Sequence, residues 1–187
     1  MSLERRELRD PRAMRALAHP LRLKLLELAT REGTLTSTRA AELTGESTGS
    51  CSFHLRQLAK YGFIEEADGG RGRERPWKAV HRDLRWSDVQ SDEDAAAAAR
   101  ALTDALLDRD LASLARWLRE GATEPEWRDA SLLSTSHLYL TSAELRELGE
   151  EYLKLLGRYV DRTGDPSLRP EGSRAIRALA FAFPLPV

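Results

Sequence analysis

Residues 35–67 read LTSTRAAELTGESTGSCSFHLRQLAKYGFIEEA, and this stretch decides the fold of the first half of the chain. A short helix is predicted to begin near Ser37 and to end at Gly45. Ser47 is placed to cap a second helix, which continues for about fourteen residues and ends at Gly62. Two helices joined by a short turn that contains glycine form the helix-turn-helix pattern.

The residues on either side of this stretch complete a larger domain. Helices are predicted over 11–18 and 20–31, each with a proline at its first position, where the missing N–H costs nothing. Strands are predicted over 63–67 and 77–80, and the glycine-rich turn DGGRGR separates them. A helix-turn-helix followed by a β-hairpin is a winged helix-turn-helix.

One side of the fourth helix has the composition of a DNA-reading surface. On a helical wheel, Cys51, Leu55 and Leu58 face the core. Glycine and serine on the other side permit close approach to a major groove, a phenylalanine can contact a thymine methyl, and an arginine can reach guanine or phosphate. The first turn can also meet a phosphate. The predicted DNA-binding residues of this helix are Thr48, Gly49, Ser50, Ser52, Phe53, Arg56 and Lys60.

The predicted wing adds a second cationic feature. Arg71, Arg73 and Arg75 alternate along the hairpin, so all three side chains can point one way, toward phosphate or the minor groove. A polar and cationic helix face is most often only solvated. Here a basic wing follows such a helix face after a few residues of sequence, and the combination favours double-stranded DNA as the partner.

Three stretches carry a resemblance to a known family. AHPLRLKLLELA, the stretch quoted above and GGRGRERPWKAV together resemble the winged-helix domain of ArsR-type bacterial regulators, over roughly residues 11–82. The resemblance implies a homodimer that represses promoters and releases DNA when it binds an effector. It places His54 in the fourth helix, which is the recognition helix of such a domain. There the wheel position of His54 favours packing or capping over metal binding.

The chain departs from the metal-sensing members of that family. Those members carry Cys or His/Asp clusters on the third helix or on the terminal helices, whereas the third helix here reads TSTRAAEL. Cys51 is the only cysteine, so no thiolate cluster can hold zinc. Neither a metal nor a cofactor is predicted. Cys51 itself can be a core residue or a redox switch, and its position on the core side favours the core.

The composition is that of a soluble protein. The chain has 187 residues, of which 41% are hydrophobic and 32% charged, which fits a globular protein rather than a disordered one. Residues 1–90 hold 17 basic against 13 acidic residues, while residues 91–187 hold 12 against 17. No apolar run is long enough for a bilayer and the N-terminus lacks a signal peptide, so no membrane partner and a cytoplasmic location are expected.

The second half of the chain is predicted to be a dimerisation unit. A long helix over 94–120 follows a polar linker at 86–93. A strand over 132–140, a helix that begins with the capping box of Thr141 and Glu144, and a strand over 176–183 would follow. The apolar stripe of the long helix is predicted to form a homodimer through Leu102, Leu106, Leu114 and Trp117. Whether this half contains an effector pocket stays an open question. Such a pocket can be lined by aromatic side chains, although core packing is favoured for them: Trp117, Trp127, Tyr139, Tyr152 and Tyr159.

These elements predict a mainly α fold with a small β component (α+β). The predicted domains are a winged helix-turn-helix over 1–85, a linker over 86–93 and a C-terminal α+β domain over 94–187. The preferred function is a dimeric DNA-binding transcriptional regulator. The alternative is a winged-helix module for protein contact. An enzyme is the weakest hypothesis, because the sequence has no nucleophile elbow, no phosphate-binding glycine loop and therefore no catalytic candidates.

Overall fold

The computed structural model describes residues 4–70, 74–87, 92–121 and 124–186. The fold is mainly α with a small β component, as predicted. In chain order its elements are β1 Glu4–Glu7, α1 Pro11–Leu17, α2 Pro20–Glu32, α3 Ser37–Thr44, α4 Thr48–Lys60, β2 Ile64–Glu66, β3 Trp77–Ala79, β4 His81–Arg85, α5 Glu93–Glu120, α6 Pro125–Asp129, α7 Ser142–Gly157, α8 Asp161–Gly164 and a 3₁₀ turn Pro166–Leu168.

Local capping signals place the helices where the sequence predicts them. The Asp10 carboxylate accepts a hydrogen bond from the Arg12 N–H at 2.9 Å and so begins α1. The Nδ1 atom of His19 accepts from the Leu21 N–H at 3.2 Å and begins α2, with Pro20 at its first position. These side chains satisfy N–H groups that have no partner within the helix.

The winged helix contains more β structure than the sequence predicts. β2 and β3 form the antiparallel base of the wing, with Ile64 opposite Ala79 and Glu66 opposite Trp77. A second, parallel pair joins β1 to β4, and the Leu8 N–H continues it by donating to the Arg85 carbonyl at 2.7 Å. The charged sequence of β1 has no alternating apolar pattern, so this strand was not predicted.

One hydrophobic core holds the winged helix together. Side chains from α1, α2, α4 and the start of the wing pack into it, and Phe63 is its largest fully buried member. The first half of α5 also enters this core. Its buried side chains are Ala95, Ala98, Ala99 and Leu102.

The chain divides into two compact units whose limits differ from the predicted domains. The first contains residues up to Leu107 together with Tyr159–Ala175, and the second contains Asp108–Arg158 together with the residues from Ile176 onward. The predicted linker therefore lies within the first unit. The reason is the burial of small apolar residues in the first half of α5, which extends the winged-helix core past residue 85.

The second unit lacks the strands predicted over 132–140 and 176–183. Helix α7 begins with the predicted capping box, in which Thr141 Oγ1 accepts from the Glu144 N–H at 3.2 Å. The residues of both predicted strands contain no helix, turn or bend and join no β-ladder. An extended segment becomes a strand only when a neighbour completes the ladder, and within the described part of one chain neither segment has one.

The helical spacing of apolar residues along α7 predicts a buried side, but that side is not buried. Its side chains are half-buried or exposed: Leu145, Leu148, Tyr152, Leu155, Leu156 and Tyr159. Tyr139, predicted to be a core residue, is fully exposed as well. These predictions were wrong for the isolated chain because no described part of the second unit forms an opposing layer over these side chains.

Replacement of a buried leucine in α5 tests whether this helix belongs to the winged-helix core. Leu102 is fully buried, so Leu102→Ala should lower the free energy of unfolding by about 2–5 kcal/mol. Leu111→Ala is the matched control on the same helix, where the side chain is exposed, and should change it little. Urea unfolding at one protein concentration measures both, and equal effects would place Leu102 outside the core.

Candidate nucleic-acid interface

The turn between α3 and α4 sets the position of the helix that carries most of the candidate residues. Gly45 adopts the left-handed conformation, with φ of +78°, and its N–H donates to the Ala41 carbonyl at 2.9 Å. Ser47 then caps α4, since its Oγ atom accepts from the Ser50 N–H at 3.1 Å. The turn thus needs glycine at one position and a capping side chain two residues later.

One side of α4 is buried as predicted. Cys51, Leu55 and Leu58 are each fully buried in the core. The Cys51 Sγ atom lies 3.6 Å from the Thr44 hydroxyl at the end of α3. Complete burial keeps this thiol away from solvent oxidants, so the geometry favours the core reading of Cys51 over the redox switch.

The opposite side of α4 presents the predicted DNA-binding residues together. Ser52, Arg56 and Lys60 follow one another at four-residue spacing and therefore share one face. Phe53 is half exposed, with its ring edge-on to His54 at 5.1 Å between centroids. By exposure, the residues divide into the exposed Thr48, Gly49, Phe53, Arg56 and Lys60 and the half-buried Ser50 and Ser52.

Gly49 is not required by the packing of the domain. A Cβ atom built on this residue would come no closer than 3.9 Å to any other group, the nearest being Ser47 Oγ. Its φ is not in the left-handed region, so the backbone accepts any residue. The absence of a side chain therefore leaves open space outside the helix, where a partner's backbone can approach α4 closely.

Only part of the predicted wing surface lies within the described residues. Arg75 is exposed, and its guanidinium contacts the Glu66 carboxylate at 3.0 Å. An exposed ion pair of this kind contributes at most about 1 kcal/mol, so a phosphate can compete for the arginine. Arg71 and Arg73 lie outside the described residues.

Arg6 positions the far end of α4, a role for which the sequence pattern contains no signal. Its Nη1 atom donates to the carbonyls of Tyr61 and Gly62 at 2.8 and 3.1 Å, and its guanidinium lies 4.9 Å from the centre of the Phe63 ring. A cation here satisfies carbonyls at the helix C-terminus and complements the helix dipole. β1 thereby links the parallel β pair to the recognition helix.

His54 packs against the start of α2. Its ring contacts that of His19, with centroids 4.5 Å apart and ring planes tilted by 39°. Its Nδ1 atom is buried and has no hydrogen-bond partner among the described residues. Within that same part of the chain, no group of three or more His, Cys, Asp or Glu side chains is arranged to hold a metal ion.

The imidazole rings of His19 and His54 both favour their neutral form. Burial lowers the pKa of His54 below its ordinary value, and nearby His19 and Arg22 lower it further, while Glu46 opposes them weakly. Burial, followed by Arg22, lowers the pKa of His19 in the same way. Protonation of both rings would place positive charges at the contact between α2 and α4.

The residues predicted to form the dimer occupy different environments. Leu102 is fully buried in the core of its own chain and Leu106 packs against that core. Leu114 and Trp117 are half-buried. Leu102 thus has no surface left to offer a partner chain.

A comparison with protein families gives one match. Residues 17–67 match the family model of a helix-turn-helix domain. This range covers α2, α3, α4 and β2, the elements that position the exposed face of α4. The chain therefore contains a helix-turn-helix domain, the domain type of DNA-binding regulators. The narrower resemblance to ArsR-type regulators does not follow from this match.

No curated protein matches the chain. None of the described helices is long and apolar enough to cross a bilayer.

His19 and His54 predict a pH-dependent stability. Because their folded pKa values are depressed, the unfolded chain binds more protons below the ordinary histidine pKa, and the free energy of unfolding should fall as the pH is lowered from 7.5 to 5.5. His54→Gln should reduce this fall. Urea unfolding of wild type and variant at both pH values measures it; the same fall in the two proteins would contradict the prediction.

Gly49→Ala separates contact with DNA from stability. The added methyl group meets nothing close within the domain, so the unfolding midpoint should stay equal or rise slightly. If α4 enters a groove with its first turn against the DNA, affinity for DNA should fall about fivefold or more, the equivalent of 1 kcal/mol of steric strain. Gly149→Ala, on open surface of α7, is the control. Unchanged affinity would mean that DNA does not approach Gly49.

Proposed function

We propose that the chain is a sequence-specific, DNA-binding transcriptional regulator that acts as a homodimer on a palindromic operator. The observation that carries the proposal is the two-sided character of α4. Cys51, Leu55 and Leu58 fix one side in the core, so Ser52 and Arg56 are held outward beyond a correctly capped helix-turn-helix. A helix presented in this way is the reading element of helix-turn-helix proteins.

The proposed contacts divide between readout and positioning. Arg56 has a long planar donor that can bind guanine in a bidentate manner, and Phe53 offers an apolar edge to a thymine methyl. Thr48 and Ser50 lie at the positive end of the α4 dipole, where a phosphate is favoured. Lys60 and the three wing arginines add positive charge for phosphate or the minor groove. The proposed DNA surface is therefore the exposed face of α4 and the wing.

The remaining details of the proposal rest on the resemblance to ArsR-type regulators. Several features are extended from that family. They are repression of promoters, release of DNA by an unidentified small-molecule effector, a bacterial and cytoplasmic setting and the lack of an enzymatic activity. The half-sites would lie about one helical turn apart, so that both copies of α4 enter the major groove on the same face of the DNA, and the two-fold symmetry of a homodimer makes the operator palindromic. Contact of the basic face with an acidic protein is the alternative outcome.

Selection of binding sites from random DNA tests the proposal through Arg56. Wild type should enrich a palindromic consensus, and Arg56→Ala should lose preference at one base position in each half-site, at a cost of about 1–3 kcal/mol. The comparison variant is Arg71→Ala with Arg73→Ala. It should weaken binding to all sequences alike and lower the log–log salt slope by about 0.9 for each lost phosphate contact.

The outcomes of this experiment separate the hypotheses. The same consensus from wild type and Arg56→Ala would exclude base readout by Arg56 and leave DNA binding intact. If wild type enriches no consensus and its DNA affinity does not depend on salt, the protein-contact module becomes the better function.

A further inference from the structure

Within its described residues, the second unit contains no hydrophobic core of its own. Among the described residues, every buried apolar side chain lies between Leu8 and Leu102, all within the first unit. A unit without buried apolar surface has little to offset the conformational entropy lost on ordering. The second unit nevertheless exposes large apolar side chains at Leu132, Leu133, Leu138, Tyr139, Leu140, Leu148, Leu155, Ile176, Phe181, Phe183 and Leu185.

Hydrogen bonds hold the ends of the segment 132–140 in place. Before it, the Ser131 hydroxyl donates to the Trp127 carbonyl at 2.6 Å. After it, the Thr141 N–H donates to the Glu144 carboxylate at 2.7 Å as part of the α7 capping box. Leu138 and Tyr139 are both more than 60% exposed. Between these two fixed ends, the segment therefore presents uncovered apolar side chains.

An ion pair holds the segment 176–183 to α5. The Arg177 guanidinium contacts the Asp110 carboxylate, which also binds Arg109 at 2.7 Å. Beyond this anchor, Phe181 and Phe183 are exposed. The segment therefore also presents apolar side chains next to an ion pair that restrains it, which lowers the entropy cost of pairing with another chain.

We propose that a second copy of this chain covers these two segments, so that the segments 132–140 and 176–183 of each copy form the dimer interface together with those of its partner. The inference rests on the homodimer of the proposed function and names its surface. It places the interface on the segments of the second unit rather than on the apolar stripe of α5.

Two observations favour a second copy over another partner. The segment 132–140 contains no Asp, Glu, Lys or Arg, and in 176–183 the one charged residue, Arg177, is already bound to Asp110. Two identical chains can meet there without like-charge repulsion, although residues 91–187 are acidic as a whole. Each chain also offers two segments that pair with nothing in its described residues, and a two-fold copy can cover the segments of both chains at once, as a closed interface requires.

Light scattering coupled to gel filtration tests the interface on the full chain. Wild type at 20 µM should have twice the 21.0 kDa mass of one chain. Leu138→Lys with Phe181→Lys should be monomeric and raise the dissociation constant at least about tenfold, because four charges would enter an apolar interface. Leu168→Lys is the matched control in the first unit: its side chain is 52% exposed, against 56% for Phe181, and it should remain a dimer.

Each outcome bears on the inference. A monomeric wild type, or a double variant that dimerises like wild type, overturns it. Circular dichroism checks that the variants are folded. Should the double variant unfold, Tyr139→Ser replaces it, since a fully exposed side chain has no intrachain packing to lose, and it should weaken the dimer while Leu168→Lys does not.

Failure of the proposed function is distinguishable from failure of this inference. A dimer that depends on Leu138 and Phe181 but selects no DNA sequence supports the interface and removes the regulator. If wild type selects a consensus and the variant Leu138→Lys with Phe181→Lys stays dimeric, the regulator is supported and this interface is excluded.

Discussion

Burial of one side of α4 is the constraint on which the rest of the first unit depends. Cys51, Leu55 and Leu58 pack into a core built by α1, α2 and the first half of α5, so the helix cannot rotate without exposing them. At about 25 cal/mol per Å² of apolar surface, such a rotation would cost several kcal/mol, a large part of the stability of a domain. The face that carries Arg56 is outward because the opposite face is held inward.

The sequence alone predicted those elements whose determining interactions are between residues close in the chain. Helix starts depend on a side chain and an N–H two or three residues away, and the caps at Ser47 and Thr141 lie where they were predicted. The two sides of α4 also follow from helical periodicity alone, so most of the candidate DNA surface was predictable. The wing base required only two short strands that are close in sequence.

Contacts between distant residues could not be read from one sequence. Arg6 reaches carbonyls more than fifty residues later, and β1 pairs in parallel with β4 across the whole winged helix. Nothing in the composition of β1 indicates either contact. The apolar pattern of 132–140 predicted a strand that the structure does not contain, because a ladder also needs a second strand, which the described part of the chain does not place beside it.

The contrast between the units shows what a single chain can and cannot complete. In the first unit each apolar helix face meets another element of the same chain, so the recognition helix is held whether or not a partner is present. In the second unit the same kinds of residue, with equally good caps, stay uncovered. Sequence patterns specify which surfaces need cover, but not which chain supplies it. An apolar pattern that one chain leaves exposed is therefore evidence about assembly, and in helix-turn-helix proteins that read DNA with one helix per chain, assembly is what joins two half-sites into one operator.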